Sequence, residues 1–543
     1  MAQGWDVVGT TIVFHEAPAN AASIVINEYT VPVTGGNTDV WAFGAWNLAD
    51  GYPSEVEFFN DRLIFCSSTG LPQAVWMSKT GNYSNFGKTI PSVDDDAITV
   101  TLNARQVNSI RDMVALEQLL MMTTGGEWLT TGGQNDVLTP TTAGFRPQSY
   151  YGVSNIPAIV IGKSAVFVQN RGYIVRDIGY QFEDDGYTGN DLTVFASHLT
   201  EGKAIVSSAY QQIPYSIVWF VREDGVLLAM TYQKDQSVVA WTPVETDGTV
   251  ESVAVIPEGG EDAVYIVVNR STGRYVERLN SRLISDVREG IFLDSALTYD
   301  GRNTTAKTIT VTGATWTVNS TVTLAASAST FVSGDVGDVI VMGYESGSNA
   351  RLLITGYTSV TVVTGRIITP IAVSLQATAV TDWGMARDTI TGLSHLNGKT
   401  VGILADGFVQ AARVVSGGAI NLDAENHGVL VHVGLPYNSD LETLDINVPG
   451  APSTRLQNKS IKQVGLILQD TRSIRAGSDA DHLIEYEPRS TESMVAPPSL
   501  INGVVRLQIS SDHKERGRIY VRQSDPLPCT ILGVIPDVAI GVM

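Results

Sequence analysis

The sequence predicts an all-β protein, a six-bladed β-propeller carrying an inserted small β-barrel-like domain, and three observations lead there. Charged residues are only 17% of the chain while Gly supplies 51 of its 543 residues, a balance that suits short strands and tight turns better than long solvated helices. A pattern of strand, Gly-bearing turn and second strand returns at a near-constant step. One stretch of sharply different composition interrupts it. A period of about 40 to 55 residues marks blades or stacked repeats.

Residues 1–45 precede the pattern as an N-terminal segment. The propeller is expected to start at residue 46 and to carry five blades as far as 301. The hairpins read RLIFCSSTGLPQAVWMSKTG from Arg62, QLLMMTTGGEWLTTGG from Gln118, SAVFVQNRGYIVRDIG from Ser164, SIVWFVREDGVLLAMTY from Ser216 and DAVYIVVNRSTGRYVERL from Asp262. A sixth, KTVGILADGFVQAARVV, starts at Lys399. Their second residues are Leu63, Leu119, Ala165, Ile217, Ala263 and Thr400, so the steps are 56, 46, 52, 46 and 137. The last hairpin is late by roughly 87 residues against a blade of about 50. Residues 302–387 fill that gap with Thr, Val, Ala, Ser and Gly, as in TITVTGATWTVNSTVTLAASAS, and are expected to form a small independent β domain. Residues 388–543 then complete the propeller and add C-terminal strands. Asn108–Met122 (NSIRDMVALEQLLMM) is rich in helix formers, but the repeat makes Gln118–Met122 a strand.

Function classes narrow next. Lys plus Arg number 35 against 56 Asp plus Glu, a net charge of −21, which excludes a basic nucleic-acid module because a net-acidic surface repels phosphates. There is no run of about 18 apolar residues and no basic, then apolar, leader after Met1, so a soluble chain that starts in the cytoplasm is expected. Cys66 and Cys529 are too few for a disulfide framework and read as reduced core residues. Catalytic residues, a cofactor and a metal are not expected. The histidines lack the HExxH spacing of a zinc site, and His427 and His432, five apart, read as ordinary strand residues on opposite faces. Glu183–Asp191 (EDDGYTGND) comes nearest to a calcium loop but lacks the alternating Asp and Asn spacing of an EF-hand. Trp76, Trp128, Tyr173, Trp219 and Tyr265 recur on the hairpins, where aromatics pack one blade on the next.

Trp41–Phe86 (WAFGAWNLADGYPSEVEFFNDRLIFCSSTGLPQAVWMSKTGNYSNF), Tyr210–Trp241 (YQQIPYSIVWFVREDGVLLAMTYQKDQSVVAW) and Gly392–Gly407 (GLSHLNGKTVGILADG) closely resemble the tail nozzle proteins of short-tailed phages, also called tail tubular protein B or tail stabilisation protein. The resemblance runs over 40–540 apart from the insertion. It implies a structural virion protein, assembled in the host cytoplasm, whose copies form a hexameric ring below the portal and adaptor rings. Through that ring the phage DNA is ejected without sequence-specific binding. Adaptor or head-tail connector proteins and tail fibre or tail tip proteins are the implied partners, with no membrane insertion. Many members carry a longer region before the Trp41-like motif, whereas 40 residues precede it here. Either Met1–Thr38 is a reduced platform for the adaptor, or a separate protein supplies one. A channel for DNA should repel phosphates, and the acidic loops Asp94, Asp95, Asp96 and Glu183, Asp184, Asp185 are candidates to face it. The competing readings are a tail-tip receptor or carbohydrate-binding protein that uses the Thr-rich insertion, and a propeller glycan hydrolase.

Overall fold

A computed structural model describes residues 44–104, 107–132, 137–182, 186–423, 426–447, 457–486, 499–509 and 516–540, with the backbone of two short strands before them. Strand takes up 52% of the chain and helix 4%, so the all-β class holds. The chain divides into two compact units, Met1–Arg278 and Leu279–Met543.

In the first unit, β1 (Trp5–Val8) pairs with β2 (Thr11–Phe14); this is all that is described of the N-terminal segment up to residue 43. Four four-stranded antiparallel sheets follow in chain order, each a simple meander. The first holds β3 (Glu55–Phe59), β4 (Arg62–Cys66), β5 (Ala74–Met77) and β6 (Ile98–Thr101). The second holds β7 (Ile110–Ala115), β8 (Leu119–Thr123), β9 (Gly126–Thr131) and β10 (Gly144–Ser149). The third holds β11 (Ile159–Ile161), β12 (Ser164–Val168), β13 (Val175–Gln181) and β14 (Gly186–Asp191). The fourth holds β15 (Ile205–Gln211), β16 (Ile217–Arg222), β17 (Leu227–Gln233) and β18 (Val238–Val244). A fifth sheet has only three strands, β19 (Thr249–Glu258), β20 (Glu261–Arg270) and β21 (Gly273–Arg278).

Turn chemistry sets the registers. Asn60 and Asp61 join β3 to β4 with φ of 47° and 54°, the left-handed pair that a two-residue hairpin needs and that Asn and Asp tolerate. The strands are held by cores shared between neighbouring sheets. Ile64, Cys66, Val75 and Met77 of the first sheet pack on Ile110, Met113, Leu119 and Met121 of the second. Val114, Leu120 and Met122 use the second sheet's other face to meet Ala165, Phe167 and Ile178 of the third. Val166, Val168 and Val175 meet Val218, Phe220, Leu228 and Met230 of the fourth. A central strand buried on both faces reads as an unbroken apolar run. That is why LLMMT, buried at all five positions, forms β8 although its composition suits a helix.

The second unit begins with β22 (Asp294–Asp300), after which the chain leaves for β23 (Ile309–Thr312), β24 (Thr321–Ala326), β25 (Val339–Met342), β26 (Ala350–Ser359), β27 (Val362–Ile367), β28 (Ala379–Val380) and β29 (Trp383–Ala386). These seven form one sheet in the order β28, β23, β24, β27, β26, β25, β29. Its two end strands are separated by two residues of chain, so the sheet curls into a nearly closed barrel around Ile309, Leu324, Phe331, Ile340, Leu352 and Ile367. The chain returns through β30 (Thr389–Thr391), β31 (Thr400–Ala405), β32 (Phe408–Val414), β33 (Ala419–Asn421) and β34 (Leu430–Leu435).

The sixth sheet runs β22, β34, β31, β32. Here the repeat needs correcting. The first five hairpins are the second and third strands of their sheets, whereas the sixth supplies the third and the outermost. The excursion between β22 and β31 is the cause, since the strands on the other side come from before it and from after β32. The barrel sits on this sheet through Val339, Val341, Tyr344 and Ala386 against Val429 and Leu430, with the Tyr299 hydroxyl donating to the Met385 carbonyl at 2.9 Å.

The last part of the chain is a two-sheet sandwich that the repeat did not foreshadow. One sheet is formed by β35 (Ser439–Glu442), β37 (Arg475–Gly477), β38 (Leu483–Glu485) and β40 (Tyr520–Gln523); the other by β36 (Lys459–Thr471), β39 (Ile501–Gln508) and β41 (Thr530–Ile540). Val464, Leu466, Leu468, Val505 and Leu507 interleave with Ile474, Ala476, Ile519 and Val521 between them.

Candidate functional site

The connection from β5 to β6 carries Asp94, Asp95 and Asp96, and a buried arginine builds it. Arg62 opens β4 with 1% of its surface exposed. Its guanidinium donates to the carbonyls of Ser78 at 2.6 Å, Asp96 at 2.7 Å, Asp94 at 3.0 Å and Leu138 at 3.3 Å. The last of these belongs to the third-to-fourth strand connection of the second sheet, so one side chain ties two loops together.

Asp94 and Asp95 are exposed, whereas Asp96 is fully buried. Asp96 Oδ1 accepts from Lys79 Nζ at 2.6 Å. Its Oδ2 accepts from the Thr89 hydroxyl at 2.6 Å and from the amides of Thr89 and Val93 at 2.8 and 3.1 Å. Lys79 first, then Thr89, hold its carboxyl well below the usual carboxylate range. Asp96 is therefore corrected from a channel-facing candidate to the inner post of the loop, because it is fully buried and both of its carboxylate oxygens accept from groups of the loop itself. Glu183, Asp184 and Asp185 lie outside the described residues. In the chain they fall between β13 and β14.

The third and fourth sheets are clasped by a second buried carboxylate. Asp177 of β13, 1% exposed, accepts from the Tyr232 hydroxyl at 2.9 Å and the Asn190 amide at 2.9 Å, and pairs with Lys234 Nζ at 2.9 Å. Burial alone would raise its carboxyl, but Lys234, Asn190 and Tyr232 outweigh that and hold it below its ordinary value. Glu127 is also fully buried and accepts from the Ser149 hydroxyl. Burial dominates there and pushes its carboxyl up.

Trp76, Trp128 and Trp219 are buried and Tyr265 is half-buried, but Tyr173 is exposed, because it sits in the turn between β12 and β13. Cys66 is buried and Cys529 half-buried, and both are free thiols pushed up by burial. His432 is buried on β34, where its Nδ1 meets the Thr298 hydroxyl and its Nε2 the Arg288 carbonyl, each at 2.8 Å; burial holds it below its usual value. His427 lies before that strand and meets the Gly337 carbonyl at 3.0 Å. Asp191, from the near-calcium loop, accepts from the Thr193 amide and hydroxyl at 2.8 and 2.6 Å, a local turn contact. Among the described residues no three His, Cys, Asp or Glu side chains are grouped to hold a metal ion. No described helix is long and apolar enough to cross a membrane.

The arrangement is one of buried polar side chains that fix exposed loops. A family model described as bacteriophage nozzle protein matches residues 50–369. No curated protein matches the chain.

Proposed function

The chain belongs to the bacteriophage nozzle protein family, whose match spans more than half of it, and from this premise we propose that six copies form a ring through which the phage genome leaves the virion. It is a structural protein of the phage tail. Within each copy the six sheets close into a six-bladed propeller, with the barrel at 302–387 as an inserted domain and 388–543 completing the sixth blade before the sandwich. Support for closure comes from the shared cores that join the first four sheets in series and from the edge strand β15 lying against β19 of the fifth.

The ring assembles in the host cytoplasm, meets adaptor or head-tail connector proteins on one side and tail fibre or tip proteins on the other, and catalyses nothing. Six copies carry 6 × −21 = −126 charges, so phosphates are repelled unless cations gather locally. Asp94 and Asp95, exposed on the loop that Arg62 braces, border the channel, as do Glu183, Asp184 and Asp185, which lie outside the described residues. The family match carries this reading. Light scattering after size exclusion, with negative-stain imaging, should give a mass of six subunits and rings with a central hole. A chain that stays monomeric even with its adaptor ring present would overturn it.

A further inference from the structure

Among the described residues the three-stranded sandwich sheet has two open sides. β36 is bonded on both flanks, while β39 and β41 run 8 and 11 residues with no strand on their outer sides among the described residues. Ordinary strands are about 5 to 6 residues long, and folded chains normally blunt or cover such edges. Pro536 removes one donor from β41, which leaves Thr530–Ile535 ahead of it.

Both edge strands are antiparallel to β36, so they are parallel to one another. A contact of β41 on one copy with β39 on the next therefore joins two different surfaces in a constant sense, the kind of contact that closes into a ring when the rotation allows. We propose that these edges pair between neighbouring copies, so that three strands from each of six subunits close into an eighteen-stranded barrel that forms the wall of the exit channel. This rests on the hexameric reading above. The occupant is a second copy because a foreign strand would fill one edge and leave the other open, whereas the same chain supplies both complements.

Eighteen strands spaced about 4.8 Å apart and tilted about 40° close on a radius of about 18 Å. With side chains inside, a passage about 25 Å wide remains, wider than a DNA duplex. One face of the sheet is taken by the sandwich core, and the other carries three cross-strand rows. These are Gln508, Gln463 and Asp537; Arg506, Gly465 and Ile535; and Val504, Ile467 and Gly533. These three rows carry one cation, Arg506, and one anion, Asp537, per copy, a net charge of zero in a chain of −21. Val504 and Ile535 are 59% and 52% exposed. A Cβ on Gly533 would come within 3.2 Å of Ile467 Cδ1, so glycine keeps this face low. Such a wall has no continuous cationic row to hold phosphates, and a duplex can slide along it.

The test uses the full chain with Cys529→Ser and the pair Val504→Cys and Leu532→Cys, treated with a short bis-maleimide. Rings should yield a denaturing-gel ladder reaching six subunits, and each single-cysteine variant should yield none. Hydrogen exchange on the unmutated protein should show slower amides across Ile501–Gln508 and Thr530–Ile535 in rings than in dissociated subunits. Rings of six that show neither ladder nor protection would overturn the barrel and leave the hexamer standing. A mass that never exceeds one subunit would overturn both.

Discussion

Arg62 is a charge that the fold keeps dry by giving its two terminal nitrogens four carbonyls, and removing it strands four acceptors at once. Arg62→Met should lower unfolding free energy by about 3 to 5 kcal/mol, since buried unsatisfied groups cost about 1 to 3 each and part of the loop relaxes. Urea unfolding reads this, and a loss below about 1 kcal/mol would contradict the bracing role. Asp96 makes a pH-dependent contribution whose sign is fixed. Its folded carboxyl stays charged where the unfolded chain takes up a proton near pH 4, so the stabilisation is present above about pH 4 and fades as pH falls below it. The melting temperature of Asp96→Asn should lie below that of the unmutated protein at pH 7, and the gap should narrow below pH 4. A gap that is constant with pH would show that charge is not what matters there. Trp219, 1% exposed with its Nε1 donating to Gln211 Oε1 at 3.2 Å, should cost about 3 to 5 kcal/mol when truncated to Ala, with ring assembly impaired in step.

At the scale of elements, the barrel shows why an inserted unit need not be an indifferent one. It has its own core, the property from which independence was expected. Its base nonetheless covers Val429 and Leu430, and Tyr344 donates to Asp406 at 2.9 Å while Arg288 pairs with Glu345 at 3.1 Å. Deleting 302–387 with a Gly-Ser bridge from Gly301 to Asp388 should leave a folded protein that is less stable by about 2 to 4 kcal/mol, the scale of exposing one or two aliphatic side chains. Thermal and urea unfolding of the deletion variant test this, and an unchanged midpoint would show that the base contributes nothing. Composition changes across 302–387, where Thr-rich sequence replaces the aromatic hairpins. The borrowed strand β22 was not legible, since no local signal says which distant strand will pair with it.

For the whole molecule, charge is the lever. Asp94→Asn with Asp95→Asn removes 2 × 6 = 12 negative charges from a ring of six, and exposed polar changes alter stability by less than about 0.5 kcal/mol. Assembly should persist while DNA ejection slows at low salt, and the defect should shrink as salt rises and screening shortens the reach of every charge. Ejection timed on virions carrying the variant, at two ionic strengths, reads this. An unchanged rate at low salt would remove the loop from the channel.

The sequence by itself determined the all-β class, the hairpin period, the position of the compositional break and the family, because these rest on local turn chemistry, strand periodicity and motif identity. It placed β8 correctly against helix propensity, since a repeat carries information that one segment lacks. Tertiary structure alone decided that Asp96 turns inward while its neighbours Asp94 and Asp95 face solvent, because three adjacent aspartates read alike until Lys79 and Thr89 arrive from elsewhere in the loop. It alone built the sixth sheet from strands on both sides of an excursion and folded the C-terminal strands into a sandwich in which, among the described residues, β39 and β41 have no strand on their outer sides. Pairing between strands far apart in the chain is selected by the burial and hydrogen bonding of the finished sheet, and these are properties no single stretch of residues contains.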